Sequence, residues 1–257
     1  MFAEERLQRI VELVNRQGKV TVAGLSEALS VSPVTIRRDL EGLEQKGLLM
    51  RTHGGAMPVQ NSPFEVAREM SFDEKGEALV AEKERIAEAA ARLVHEEEAI
   101  LLTPGTTNMF LAQKLSGIKE LTVVTNAANI AVQLSRVPGF DVMLIGGKMR
   151  PKSYALVGPM ADQALRGIRV DKLFLGVDGF DIEEGLTTPN ILEASVNAQM
   201  IAIAKQVIVV ADHSKFGKVT FSRIAGLDSV HTIVSDRMLP EAACERIREM
   251  GIELILA

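Results

Sequence analysis

Apolar residues near the start of the chain recur with the period of an α-helix. The repeat at i, i+3, i+4 and i+7 is carried by Leu7, Ile10, Val11 and Val14. This spacing predicts a first helix over residues 3–17, which ends at Gly18 because glycine accepts left-handed backbone angles. A second, shorter helix is predicted over residues 22–29, with Thr21 as its N-cap.

The next segment carries the signals of a third helix and a hairpin. Ser32-Pro33 supplies a hydroxyl N-cap followed by proline at the first helical position, where the missing N–H does no harm. We expect this helix to run to about Gln45 and to stop at Gly47. Residues 48–51 and the glycine-containing turn at 53–55 then predict a strand and a turn. Three short helices followed by a hairpin are typical of a winged helix-turn-helix.

The pattern of apolar residues changes after about residue 75. Short apolar runs occupy residues 99–102, 121–124, 142–145, 173–177, 207–211, 232–234 and 253–256. Helical patterns occupy residues 77–94, 109–115, 127–135, 160–165, 193–205 and 240–250. Strands that alternate with helices predict βα units and an α/β domain with a mostly parallel sheet.

These changes of pattern predict three segments. A winged helix-turn-helix domain spans residues 1–57, a linker spans residues 58–75, and an α/β domain spans residues 76–257. The linker is predicted because this stretch has prolines and polar residues but no clear periodicity, apart from a short strand near Val66.

Composition agrees with a globular protein and excludes several other classes. The chain has 257 residues, of which 47% are hydrophobic and 25% are charged, so a disordered or collagen-like chain is excluded. No apolar run approaches the roughly 18 residues needed to span a bilayer, and the charged N-terminus is unlike a signal peptide. The single cysteine, Cys244, has no partner for an internal disulfide. We therefore expect a soluble, cytoplasmic protein without a membrane segment.

Charge is distributed unevenly along the chain. The net charge is −5, but residues 1–55 contain 8 Lys and Arg against 7 Asp and Glu, which leaves this segment at +1 and the remainder at −6. A charge-balanced segment can still bind DNA if its basic residues share one face, because contact with phosphate is local.

The third helix has such a face. Ile36, Leu40 and Leu43 form its apolar stripe, and at about 100° per residue the opposite side carries Val34, Arg38 and Glu41. The residues predicted to contact DNA from this helix and its N-cap are Ser32, Val34, Thr35, Arg37 and Arg38. Arginine can bond guanine bidentately, while serine and threonine reach phosphates or base edges and valine can touch a thymine methyl group.

Residues after the helix complete the predicted interface. Arg51 and His53 are expected to meet the flanking DNA backbone, whereas Glu41 would repel phosphate and limit the contact. Asp39 points nearer the core side and is expected to cap or pair within the domain. The alternative is a charged, solvated face on a small helical domain.

The second part contains a candidate anion site. Gly105-Thr106-Thr107 follows a predicted strand and opens a predicted helix, so glycine allows close approach while two hydroxyls and the helix N-terminus favour a phosphate. The segments Thr125-Asn126, Gly146-Gly147 and the turn with Asp178 also follow predicted strands. Open α/β sheets bind ligands at this edge, so these residues are predicted to converge on one site.

Further polar residues in this part remain open to two interpretations. Glu193 and Lys215, like Asp178, could bond sugar hydroxyls or a phosphate. Alternatively, Glu193 and Lys215 lie on a solvated surface and Asp178 caps a turn. The four histidines lack metal-binding spacing, and there is no CxxC, GxGxxG or Walker motif, so no metal or other cofactor is predicted.

The motifs together make the sequence recognisable. In the first part they are Arg6, Ile10, Val14, the run Ser32-Pro33-Val34-Thr35-Ile36-Arg37-Arg38-Asp39-Leu40 and His53-Gly54-Gly55-Ala56. In the second part they are Gly105-Thr106-Thr107, Thr125-Asn126, Gly146-Gly147, Gly158, Gly185-Leu186-Thr187 and Asp212-His213-Ser214-Lys215-Phe216-Gly217. Over nearly the whole chain they closely resemble the DeoR family of bacterial sugar-responsive transcription regulators. The runs at 156–159 and 170–179 look most like the repressors of N-acetylgalactosamine operons within that family.

The resemblance implies a fold and a function. It implies a sensor domain similar to the ribose-5-phosphate isomerase and CoA-transferase folds, which binds a phosphorylated sugar. The expected protein is a repressor of a sugar or amino-sugar catabolic operon rather than an enzyme, although the sequence does not separate a repressor from an activator. Its expected partners are double-stranded operator DNA, the sugar phosphate and further copies of itself, as a dimer or tetramer. The alternative is a sugar-phosphate isomerase-like enzyme with an accessory DNA-binding domain.

One position departs from the family pattern. Many members have an acidic residue two positions before the glycine of the Gly-Thr-Thr turn, where this chain has Thr103. A hydroxyl cannot act as a carboxylate acceptor or base. We therefore expect one sugar-hydroxyl contact to differ and isomerase chemistry to be disfavoured.

Overall fold

The computed structural model describes residues 3–17, 19–46, 48–52, 54–57 and 70–257. The predicted helix ends at Gly18 and Gly47, the predicted DNA contact of His53, and residues 58–69 of the predicted linker, with its expected strand near Val66, lie outside the described residues.

The first domain contains the three predicted helices in order. Its elements are α1 (Ala3–Gln17), β1 (Val20–Thr21), α2 (Val22–Leu29), α3 (Pro33–Gln45), β2 (Met50–Thr52) and β3 (Gly55–Met57). Both predicted N-caps are confirmed, because the Thr21 hydroxyl accepts from the Gly24 amide at 3.0 Å and the Ser32 hydroxyl accepts from the Thr35 amide at 3.2 Å. The strands form a small antiparallel sheet in the order β1-β3-β2. The hairpin matches the predicted wing, while β1 is too short to have produced a recognisable pattern.

A single apolar core holds these helices together. Its fully buried members include Ile10, Val11, Val14, Leu25, Ile36, Leu40, Leu43 and Leu49. The predicted inward stripes of the first and third helices therefore meet in this core, and the opposite side of α3 is left outside it.

The second domain is built on a seven-stranded sheet. Its strands are β4 (Ala99–Leu102), β5 (Leu121–Thr125), β6 (Phe140–Leu144), β9 (Val170–Leu175), β12 (Ala204–Val210), β14 (Thr232–Ser235) and β15 (Glu253–Leu256). Their order in the sheet is β15-β14-β12-β9-β4-β5-β6. Every neighbouring pair is parallel, as the alternation of strands and helices predicts. All seven correspond to the apolar runs identified in the sequence.

Helices cover both faces of this sheet. They are α4 (Phe72–Glu77), α5 (Val80–Ala91), α6 (Thr106–Lys114), α7 (Ala128–Leu134), α8 (Pro159–Leu165), α9 (Ile191–Ile203) and α10 (Glu241–Glu249). Residues of α5, α6 and α7 pack into one core, and residues of α8, α9 and α10 pack into a second core on the other face. Cys244 is buried in the second core as a small apolar residue of α10.

The start of this domain differs from the expectation. The helix expected over residues 77–94 is α5, which is shorter at both ends and begins after Leu79, whose φ of 51° is left-handed. A separate helix, α4, precedes it. Helix α4 begins at Phe72, within the stretch expected to be linker. Ser71 and Glu74 form a capping box, since each side chain accepts from the other's amide. The segment is too short to show helical periodicity, so the capping box is its main local signal.

Five short strands described in the second domain do not correspond to a predicted element. β7 (Lys148–Met149) pairs with β8 (Leu156–Val157), and β10 (Gly179–Asp181), β11 (Gly185–Thr188) and β13 (Ser222–Ala225) form a separate antiparallel sheet.

Among the described residues, no helix is both long enough and apolar enough to cross a membrane.

Candidate DNA-binding surface and effector cavity

The outer face of α3 presents the predicted contact residues to solvent. Val34 is 71% exposed, and Arg37, Arg38 and the N-cap Ser32 are also exposed. Thr35 is partly buried, and its hydroxyl lies 2.9 Å from the Ser32 hydroxyl. The first two turns of α3 and its N-cap therefore offer two guanidinium groups, hydroxyls and one apolar side chain.

An ion pair fixes α3 to α1. The Arg6 guanidinium donates to both carboxylate oxygens of Asp39, from Nε at 2.6 Å and from Nη2 at 3.1 Å. The hydrogen bond that Arg6 donates to Asp39 raises the pKa of Arg6, and the negative charge of Asp39 adds to that effect against the opposing effect of burial. Asp39 thus pairs within the domain, as its position on the helix predicts, and sets the rotation of the outer face.

Arg51 lies on β2, beside the C-terminal end of α3. It is exposed, and its guanidinium approaches the Glu44 carboxylate at 3.8 Å, while its backbone amide donates to the same carboxylate at 3.1 Å. Glu41 is also exposed on α3. The positive surface is therefore concentrated in the first turns of the helix.

A cavity opens in the second domain where several parallel strands end. Its residues come from the segments after β4, β5, β9 and β12, from α4 and from α9. The polar residues that line it are Lys75, Lys83, Thr106, Thr107, Asn108, Asn126, Lys152, Ser153, Asp178, Thr188, Glu193, Asn197, Asp212, Ser214, Lys215 and Lys218. The carboxyl edge of the sheet is therefore the site of convergence.

The N-terminus of α6 forms one side of this cavity. Gly105 is its N-cap and has a φ of 145°, a conformation that favours glycine. No side chain of the described residues caps this helix end. Its first amides and the buried Thr106 and Thr107 therefore remain suited to an anion.

A lysine and an aspartate form an ion pair across the cavity wall. The ammonium of Lys75, on α4, donates to Asp178, which also accepts from the Thr188 hydroxyl at 3.0 Å. Burial raises the pKa of Asp178, but the charge and hydrogen bond of Lys75 outweigh it, so the net pKa is lowered. Asp178 is held as a carboxylate beside the cavity.

Two further lysines of the cavity are strongly desolvated. Burial lowers the pKa of Lys83, whose ammonium donates to the carbonyls of Lys75 and Ala78. Burial also lowers the pKa of Lys215, against the opposing charges of Asp178 and Asp212. A bound anion would favour the charged form of both lysines.

Two further carboxylates line the cavity. Glu193, in the first turn of α9, accepts from the Ser153 hydroxyl, lies 3.5 Å from the Thr188 hydroxyl and approaches Arg150 at 2.9 Å. Asp212, which is 2% exposed, accepts from the Ser214 amide at 3.0 Å.

Two buried asparagines leave acceptors without donors. The Asn126 amide donates to the Leu156 carbonyl at 3.1 Å, and the Asn108 amide donates to the carbonyls of Thr103 and Phe174, both at 2.9 Å. These bonds fix which end of each amide is nitrogen. Both Oδ1 atoms are buried and have no hydrogen-bond partner among the described residues. A buried acceptor without a donor is costly, and both asparagines are residues of the cavity lining.

Comparisons with known proteins agree with both parts of the chain. A family model described as a DeoR-like helix-turn-helix domain matches residues 6–61, and one described as the DeoR C terminal sensor domain matches residues 79–237. The chain belongs to the DeoR family of transcription regulators. The expected fold class, a helix-turn-helix domain followed by an α/β domain with a parallel sheet, is confirmed.

Relatives of this DeoR-family chain match it from end to end. An uncharacterized HTH-type transcriptional regulator, YulB of Bacillus subtilis (strain 168), is 37% identical over 254 residues, which span 99% of this chain and 96% of the relative. A putative aga operon transcriptional repressor of Escherichia coli O157:H7 is 34% identical over 252 residues, spanning 98% and 93%. Among solved structures, a D-ribose-5-phosphate isomerase matches 52% of each chain at 16% identity with a TM-score of 0.39, which is too low to bear on function.

Most, but not all, of the predicted effector residues meet at the cavity. Those that line it are Gly105, Thr106, Thr107, Asn126, Asp178, Glu193 and Lys215. Thr125 does not, because its hydroxyl donates to the Leu102 carbonyl at 2.7 Å and accepts from the Ala127 amide at 3.0 Å. Gly146 and Gly147 do not line it either, since they form the turn between β6 and β7. Gly147 lies against the backbone of Val157, where a Cβ atom would clash at 2.7 Å.

Thr103 also lies away from the cavity lining. It is fully buried, and its hydroxyl accepts from the Gly176 amide at 2.9 Å. This hydroxyl therefore joins the ends of β4 and β9 and is not available to a ligand.

Several cavity residues were missed by sequence reasoning. Lys75 lies in the stretch predicted to be a linker, and Lys83 lies on a predicted helix that was given no ligand contacts. Asn108 directly follows the predicted Gly105-Thr106-Thr107 turn. Asp212 could have been identified, because it belongs to the same family motif as Lys215. Across the described ranges, no three His, Cys, Asp or Glu side chains are grouped as a metal site.

The two domains touch through the start of α9. Asn190 caps this helix by accepting from the amides of Leu192 and Glu193, at 3.0 Å and 3.1 Å, and its own amide donates to the Gln8 side chain of α1 at 2.9 Å. Lys148 also pairs with Glu5 of α1 at 3.2 Å. The helix that carries Glu193 into the cavity is therefore in contact with the DNA-binding domain.

Proposed function

We propose that this DeoR-family protein is a repressor of a sugar or amino-sugar catabolic operon, released from its operator by a phosphorylated sugar. The observation that carries this proposal is a single cavity whose lining combines lysines and the N-terminus of α6 with carboxylates and buried asparagines. A sugar phosphate has both an anionic group and several hydroxyl donors, so it matches both kinds of group.

The phosphate belongs at the N-terminus of α6. Five lysines line the cavity against the three carboxylates of Asp178, Glu193 and Asp212, so its formal charge is positive. The helix amides, the hydroxyls of Thr106 and Thr107, and a lysine ammonium together provide the donors that phosphate oxygens require.

The sugar belongs against the acceptors. Hydroxyl groups would donate to the Oδ1 atoms of Asn108 and Asn126 and to the carboxylates of Asp178 and Glu193. An amino sugar adds an N–H donor, which the same acceptors would bind.

The DNA-binding role rests on the exposed face of α3. Arg37 and Arg38 are positioned for base or phosphate contacts in a major groove, with Ser32, Val34 and Thr35 beside them and Arg51 toward the flanking backbone. An effector that prefers a conformation in which the α3 helices are poorly placed weakens DNA binding. Linkage then requires DNA to weaken effector binding by the same factor.

A fluorescence-anisotropy titration tests both halves. The full chain is titrated onto a duplex from its own upstream region, alone and with a panel of sugar phosphates, free sugars and inorganic phosphate. We expect one or more sugar phosphates to weaken DNA binding, while the matching free sugars have little effect. DNA binding that no member of the panel changes would contradict the effector role, and absence of specific binding would contradict the repressor role.

A pair of variants separates the two sites. Thr106→Val with Thr107→Val removes two hydroxyls from the cavity and is expected to abolish the effector response with DNA binding intact. Arg38→Ala is the matched reciprocal variant, expected to weaken DNA binding with sugar-phosphate affinity intact. Turnover of a sugar phosphate by the purified wild-type protein would favour the isomerase-like alternative.

A further inference from the structure

One aromatic residue of the sensor domain packs against the core of the DNA-binding domain. Phe221, which immediately precedes β13, is partly buried against the cluster that contains Ile10, Val14 and Leu40. Among the described residues, it is the only apolar residue of the second domain that packs there. The two domains therefore share an apolar contact in addition to the polar contacts of α1.

Two polar contacts accompany Phe221. Asn190, the N-cap of α9, donates to Gln8 at 2.9 Å, and Lys148 of β7 lies 3.2 Å from Glu5. The Lys148 side chain is 72% exposed, so this ion pair contributes little to holding the domains together. Phe221 and Asn190 are therefore the main residues by which the sensor domain holds the first domain.

Both residues lie beside the lining of the effector cavity in the chain. Phe221 follows the cavity residue Lys218 by three positions, and Asn190 lies between the cavity residues Thr188 and Glu193. Each contact with the first domain is thus within three residues of a side chain that lines the cavity.

The chain between Lys218 and Phe221 is tightly held. The Thr220 amide donates to the buried Thr187 hydroxyl at 3.0 Å, and a Cβ atom at Gly179 would lie 2.1 Å from the Lys218 carbonyl oxygen. Closely packed backbone has little room to absorb a displacement locally. A shift of Lys218 toward a ligand therefore moves Phe221 as well.

We propose that Phe221 and Asn190 carry the effector signal from the cavity to the DNA-binding domain. A ligand that draws Lys218 or Glu193 toward itself shifts both contacts, and the first domain then moves relative to the sensor domain. The contact has a single aromatic anchor, and small domain interfaces permit relative motion. This inference rests on the proposed function, because it describes how the effector acts, but Phe221 and Asn190 are not themselves cavity-lining residues.

The ratio of operator affinities without and with effector measures this signal. Anisotropy titrations of the full chain use glucose 6-phosphate, galactosamine 6-phosphate and ribose 5-phosphate as probes, and allosteric ratios are typically about 5- to 150-fold. We expect Phe221→Ala to bring the wild-type ratio close to one, while a thermal-shift assay shows that the probe still binds. A simple loss of DNA affinity weakens both titrations alike and leaves the ratio unchanged.

Two control variants accompany Phe221→Ala. Phe221→Leu keeps an apolar contact and should retain most of the ratio. Met250→Ala, at a residue that is 42% exposed at the end of α10, should leave the ratio unchanged. Circular dichroism confirms that each variant is folded. A folded Phe221→Ala protein with the wild-type ratio would overturn the proposal.

A tryptophan variant tests the contact independently of the proposed function. The chain contains no tryptophan, so Phe221→Trp introduces a single fluorophore. Without added ligand, we expect its emission at a shorter wavelength than in urea, because the ring packs against the core of the first domain. A probe that weakens operator binding should move this emission to longer wavelength.

The outcomes of the fluorescence experiment are distinct. Native emission at the wavelength of the unfolded protein would overturn the contact itself. Emission that stays constant while a probe weakens operator binding would overturn the signal. A wild-type protein whose operator binding no probe changes would refute the proposed effector role and with it the signal, while short-wavelength emission would still confirm the contact.

Discussion

Removal of the Asp39 carboxylate should destabilise the DNA-binding domain and misplace its recognition helix. Asp39 accepts two hydrogen bonds from Arg6, at 2.6 Å and 3.1 Å, and the two side chains are only 10% and 13% exposed. Asp39→Ala therefore leaves a mostly buried guanidinium without its counter-charge. The same change frees α3 to rotate relative to α1.

The magnitude follows from the burial of the pair. A hydrogen bond to a charged group contributes about 1.5–3 kcal/mol, and breaking a fully buried ion pair costs about 3–5 kcal/mol. Because both side chains retain some contact with water, we expect Asp39→Ala to lower the free energy of unfolding by about 1.5–3 kcal/mol. Operator affinity should fall as well, although Asp39 itself lies off the outer face.

Urea unfolding followed by far-ultraviolet circular dichroism is the assay, since the chain contains no tryptophan. The control is Arg9→Ala, which breaks an exposed pair with Glu12, 63% and 41% exposed, and should cost less than about 1 kcal/mol. Arg6→Ala with Asp39→Ala should cost less than the sum of the single variants, because the second change removes an already unpaired group. An Asp39→Ala protein as stable as the Arg9→Ala control would refute the argument.

Three further predictions address the other contacts. Arg38→Ala should weaken operator binding by about 1–3 kcal/mol if the guanidinium contacts a base, and unchanged affinity in an anisotropy titration would show that this face does not enter the groove. Asn190→Asp keeps the α9 cap but loses the amide that donates to Gln8, so it should lower the free energy of unfolding by about 0.5–1.5 kcal/mol. Asn190→Ala loses the cap as well and should be the less stable of the two in urea, an order that equal values would contradict. Lys75→Met should raise the pKa of Asp178, because burial then acts without its counter-charge, and a carboxyl carbon-13 titration would detect this. In the wild type, the lowered pKa of Asp178 stabilises the fold fully above the unfolded value of about 3.9 and this contribution is lost as the pH falls through the folded pKa. In the Lys75→Met variant the free energy of unfolding should not fall in this way at acid pH, which urea unfolding at pH 3 to 6 would reveal.

The elements that the sequence predicts well are those whose signals are local. The seven core strands are continuous apolar runs because parallel strands are buried on both faces. Thr21 and Ser32 could be placed as caps because a capping hydroxyl bonds an amide only three residues away in the chain. The outward face of α3 followed from the stripe of Ile36, Leu40 and Leu43, since the period of a helix relates one face to the other.

The composition of the cavity was only partly accessible in this way. Strand ends with glycine and threonine, such as Gly105 and Thr106, could be assigned because parallel strands bring their carboxyl ends to one edge. Thr125 has the same chemistry and position, yet its hydroxyl bonds a neighbouring strand. The direction of a side chain at a strand end depends on the neighbours present, which the local pattern does not contain.

By itself, then, the sequence determined the two-part organisation, the parallel sheet, the family and the exposed basic face of α3. Tertiary structure alone decided that Lys75 and Lys83 line the cavity, that Asn108 and Asn126 keep unsatisfied acceptors there, and that Asn190 touches α1. The physical reason is the range of the interactions. Periodicity and capping act over a few residues, whereas the charge and hydrogen bonds of the cavity join side chains about a hundred positions apart, as between Lys75 and Asp178.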